Sequence, residues 1–152
     1  MRIPIAALAA SIVFALTGPA SAESTTMTSA DDPSGGFISC PGHQLVPVSG
    51  QVVFTYHLVT GPDGPTSAHG HGVAHDVTLL DQAGTQYMLR GMTRFNEHYD
   101  PATGDLVSGS ATEEFTIVGA GGVLGRISVV THVDRDGALR IDHFGECTEN
   151  FN

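Results

Sequence analysis

Histidine is the chain's main stock of chemistry, with eight in 152 residues. Three of them fall in Ala68-His69-Gly70-His71-Gly72-Val73-Ala74-His75-Asp76. Alternate residues of a strand share a face, so an extended segment gathers His69, His71, Val73, His75, Val77 and Leu79. Imidazoles at His69, His71 and His75 would then form a ligand set for Zn²⁺ or Cu²⁺, with Asp76 or a distant histidine in support. The glycines offer an opposite reading, a loop as far as Val73 with exposed histidines and no cofactor.

His132 and His143 flank Asp134-Arg135-Asp136-Gly137. Asp-Gly supplies the positive φ of a tight hairpin turn. A two- or four-residue loop places both histidines diagonally on one face with Val130, Leu139 and Ile141. A three-residue loop shifts the register by one and separates them. Their apolar company points to an inner face, so His132, His143, Val130 and Ile141 are the candidate ligand-binding residues. Arg90 and Arg94, with Glu97, Glu113 and Glu114 to answer them, read as surface ion pairs of small energetic weight. No Gly-x-Ser-x-Gly elbow, His-Glu-x-x-His or phosphate-cradling Gly-x-x-x-x-Gly-Lys is present. No catalytic residue is assigned, and the balance is toward a non-enzymatic protein.

These residues need strands to position them. Val52–Val59, Val73–Leu80, Gln86–Tyr99 with a bend at Gly91, Thr112–Val118, Gly125–Val133 and Leu139–Phe144 are rich in β-branched and aromatic residues. Gly, Pro and Asp clusters separate them. No stretch after residue 22 carries a capped 3.6-residue apolar period. The expected fold is all-β, an antiparallel barrel of about eight strands or a barrel-like sandwich. Residues 37–152 form a single β domain in this reading, and the polar segment 23–36 is a disordered leader.

Compartment and charge narrow the partners. Arg2, the apolar run Ile3–Leu16, the breakers Gly18-Pro19 and Ala20-Ser21-Ala22 make residues 1–22 a secretory signal peptide cleaved after Ala22. The run is too short for a membrane anchor. Cleavage removes one basic residue and leaves the rest one charge more negative than the −10 of the whole chain. Such a surface disfavours nucleic acid and anionic lipid. In an oxidising compartment, Cys40 and Cys147 read as one disulfide closing the domain.

Phe115-Thr116-Ile117-Val118-Gly119-Ala120-Gly121-Gly122-Val123-Leu124-Gly125-Arg126 resembles the strand, Gly-rich turn and strand of the dirigent and allene-oxide-cyclase-like barrels. The stretch from His132 to the late cysteine is similar to small exported bacterial proteins. The resemblance covers about a third of the chain after residue 22, and the family's catalytic carboxylates have no matching positions. It implies an eight-stranded antiparallel barrel able to hold an apolar small molecule. Three functions are therefore expected as alternatives: a secreted protein binding a small, partly apolar ligand or an extracellular partner; a cyclase or isomerase; and a histidine-cluster metal binder.

Overall fold

The computed structural model describes residues 22–150. The expected signal peptide lies outside the described residues, save Ala22. Among the described residues there are nine strands: β1 (Glu23–Asp31), β2 (Phe37–Cys40), β3 (His43–Gly61), β4 (Gly64–Leu80), β5 (Gln86–Tyr99), β6 (Leu106–Gly119), β7 (Gly122–Val133), β8 (Leu139–His143) and β9 (Thr148–Asn150). Eight run in the order β8-β7-β6-β5-β4-β3-β2-β9, each antiparallel to its neighbours. The ends of that series are consecutive in the chain. The segment joining them bonds back to β7, through Phe144 N–H to the Ser128 carbonyl (2.9 Å) and Cys147 N–H to the Arg126 carbonyl (3.0 Å). The result is a nearly closed antiparallel eight-strand barrel, the barrel form of the two architectures expected. Phe115–Arg126, which carries the resemblance, forms the β6–β7 hairpin around Ala120-Gly121.

β1 lies off this circuit and differs from expectation. Residues 23–36 lack periodicity, yet Glu23–Asp31 pairs residue for residue with β3 from Thr60 to Val52. Strand pairing requires only backbone groups, and Thr25, Thr26 and Thr28 suit a strand without any apolar alternation. The register Asp31↔Val52 continues into Ile38↔Leu45, so β1 and β2 occupy one lane along β3, interrupted at residues 32–36. Among the described residues no ladder joins β1 to β8, and the barrel wall is split there.

The two halves of the barrel are packed differently. The half nearest the disulfide is filled by Ile38, Leu45, Val77, Leu79, Tyr87, Leu89, Phe115, Ile117, Ile127 and Val129, which are buried together. Cys40 and Cys147 are bonded and belong to this core, as expected. Gly125 makes room for them: a Cβ there would collide with Cys147 Sγ. In the far half, Ala68, Gly72 and Thr93 are buried, while Phe54, Tyr56, Leu58, Phe95 and Thr131 on the inward lanes are only half-buried.

Candidate functional site

The lumen of the far half is assembled from matching positions of successive strands. On β6, Phe115 and Ile117 point into the core, and the two-residue period carries Glu113 to the same side. Cross-strand pairing sets Glu113 beside Thr93 of β5 and Val129 of β7, and Val129 beside His143 of β8. On β4 the inward positions are Ala68, Gly70 and Gly72. Gly72 lies under the Phe54 ring, where a Cβ would collide with it, and a Cβ at Gly70 would collide with the β3 backbone at Thr55 and Tyr56. Gly72 thus lets the Phe54 ring lie over β4. Phe95 lies at ring-centroid distances of 6.4 Å from Phe54 and 6.3 Å from Tyr56. The rings are tilted, a favourable arrangement for aromatic pairs.

Acid groups share the inward side of the strands. Glu149 of β9 pairs with the buried Ile38 and is itself directed inward. It is close enough to Glu113 for each carboxyl group to influence the ionisation of the other. Two carboxyl groups side by side and poorly hydrated disfavour ionisation of both at once. Burial, and then the neighbouring Glu113, push Glu149 up to about 8. Burial also raises Glu113, against the opposing influences of Glu149 and of His143. Further along the lumen, the Tyr99 hydroxyl donates to Glu97. Burial raises both groups. Thr93 is buried beside Glu113. Ser29, level with Phe54, has a buried hydroxyl with no partner among the described residues. Between Glu97, Leu106, Gly109, Ala111, Thr131 and Val133 lies a small cavity of about 10 Å³, room for about one water.

The residues singled out from sequence are distributed over both faces. The β7–β8 loop has three residues, Arg135 to Gly137. It is closed by Asp134 N–H to the Ala138 carbonyl (3.0 Å), with Gly137 at φ 73°. This is the register that separates His132 from His143. Ile141 and His143 fall on the lumen lanes, with Thr131 and Val129. His132 and Val130 fall on the outer lanes, with Arg140 and Asp142.

His69 and His71 do lie on one strand face, which is the outer one, and both are exposed. The expected face does not continue to Val77 and Leu79. Asp76, at φ 51°, sits in an irregularity of β4 that shifts the pairing with β5 between Val73 and Thr78. Val77 and Leu79 thereby turn into the core, and His75 stays exposed. Among the described residues no group of three or more His, Cys, Asp or Glu side chains converges as a metal site.

Sequence reasoning missed Glu113, Glu149 and Glu97, which it read as surface charge or passed over. One signal was present: Glu113 has the same parity as Phe115 and Ile117. The chain matches no family model, no curated protein and no solved structure. The barrel architecture stands on the fold itself.

Proposed function

We propose that the far half of the barrel binds a small, partly apolar molecule that also carries a hydrogen-bonding group. The supporting observation is the half-buried pair of acids, Glu113 and Glu149, on the same inward side of the strands as Phe54, Tyr56 and Phe95. Buried carboxyls cost stability compared with apolar residues of the same volume. A core built for stability alone would not place three of them in one lumen. An apolar pocket with a few convergent polar groups is the usual form of a small-molecule site. The unpartnered Ser29 hydroxyl adds a further polar contact for a ligand. Secretion fits this reading, since a scavenger or carrier of apolar molecules works outside the cell.

Nile red, a neutral apolar dye whose emission rises on burial, tests the proposal. We expect saturable one-to-one binding, weakened about tenfold by Phe95→Ala and unchanged by Val130→Ala on the outer face. Native mass spectrometry of the exported protein then reports any ligand that co-purifies. Equal effects of the two substitutions, with both variants folded, would refute a lumenal site.

The carboxyl pair favours a second reading, acid–base catalysis of the cyclase or isomerase class implied by the dirigent and allene-oxide-cyclase-like resemblance. A carboxyl group titrating near neutral pH can both give and take a proton. Turnover of an enolisable or epoxide-bearing ligand, abolished by Glu149→Gln with binding retained, separates catalysis from carriage.

A further inference from the structure

The outer face carries a histidine pair unrelated to the lumen. His57 of β3 is registered directly against His69 of β4. Both are exposed, and their rings lie 5.2 Å apart between centroids. Thr26 of β1 holds His57, with Oγ1 2.9 Å from Nδ1. We propose that His57 and His69 chelate a single divalent transition-metal ion, Cu²⁺, Zn²⁺ or Ni²⁺, on the outside of the barrel, with water completing its coordination.

The spacing fits such an ion. A metal bound at about 2.0–2.1 Å from a ring nitrogen sits roughly 3.2 Å from that ring's centre. Two rings meeting at a tetrahedral angle would then have centres roughly 5.2 Å apart, and 5.2 Å is the separation found. Imidazole is a good ligand for each of these ions. The hydroxyl of Thr26 contacts Nδ1 and leaves Nε2 as the free donor. In the neutral tautomer whose Nδ1–H donates to the hydroxyl, Nε2 carries the lone pair that a metal takes, the usual role of a group behind a metal-ligating histidine.

The surroundings favour this pair over its neighbours. The residues registered beside it on β1 and β5 are Thr26 and Asn96, both neutral. His71, two residues along β4, is registered against Arg94, whose positive charge opposes a bound cation. The chain as a whole carries 16 acidic and 6 basic residues and attracts cations at long range. The ligand set therefore spans two strands, unlike the single-strand set of His69, His71 and His75 expected from sequence.

Calorimetric titration of the untagged protein with Cu²⁺, Zn²⁺ and Ni²⁺ tests the site. It is paired with NMR observation of the histidine ring protons. We expect one ion per chain, and broadening or shifts confined to His57 and His69. His57→Ala and His69→Ala should each weaken binding tenfold or more, and Thr26→Val by less. His71→Ala and His75→Ala should change it less than twofold. All five positions are on exposed outer strand surface or at its edge, and unfolding curves confirm that each variant folds. No saturable binding, or a loss with His71→Ala equal to that with His69→Ala, would overturn the proposal.

Discussion

The Glu113–Glu149 pair gives this protein an unusual dependence of stability on pH. In the unfolded chain Glu149 ionises in the ordinary carboxylate range, near 4.5, whereas in the barrel it holds its proton to about 8. A raised value means that the folded state binds more protons than the unfolded state between those limits. The stabilisation relative to high pH is complete below about 4.5 and is lost as pH rises to about 8. The steepest slope available to one proton is about 1.4 kcal/mol per pH unit. Glu113 and Glu97 are raised as well and act in the same sense. Urea unfolding at pH 5 and pH 8.5 should show the greater stability at pH 5. Glu149→Gln should flatten that difference. A protein equally stable at both values would contradict a proton retained by the pair.

At the scale of strands, small residues decide which side chains can approach. Gly125 is the clearest case, since Cys147 Sγ occupies the space a Cβ would take. Gly125→Val should destabilise the barrel by about 1–3 kcal/mol, seen as a lower urea midpoint. The same substitution at Gly121, where nothing lies within 4 Å, should cost much less. This scale also separates what the sequence makes legible from what it does not. The strands around Val52, Val73, Gln86, Thr112, Gly125 and Leu139 can be read from β-branched runs and turns, because those patterns are local. Their faces could not all be assigned. The β4 faces depend on a one-residue irregularity at Asp76, and the β7–β8 faces depend on loop length. Both are settled by pairing with another strand. β1 was invisible for a related reason, because backbone pairing leaves no mark on a row of serines and threonines. Glu113 was legible through its parity with Phe115. Glu149 was not, since three-residue β9 is too short to show a pattern.

The whole molecule is a barrel of two unequal halves, joined at one end by a strap. Cys40 and Cys147 are 107 residues apart in sequence. In the chain-entropy account a bridge over that length contributes about 5 kcal/mol, and removal of a native disulfide costs about 2–5 kcal/mol in practice. Reduction, or the Cys40→Ala/Cys147→Ala pair, should lower the urea midpoint accordingly. Because β9 and the β7 contacts of residues 144–147 are tied to the same bond, loss of the staple should also loosen Glu149. Nile red affinity should then fall together with stability. The division between the halves also has a consequence for heredity. On β6, Phe115 and Ile117 belong to the packed half, while Glu113 and Ala111 lie on the same side in the other half. The residues on which folding depends and those that meet a ligand are thus neighbouring words on the same strand. Mutation can rewrite the second without erasing the first, so related chains could diverge in what they hold while inheriting one unaltered floor.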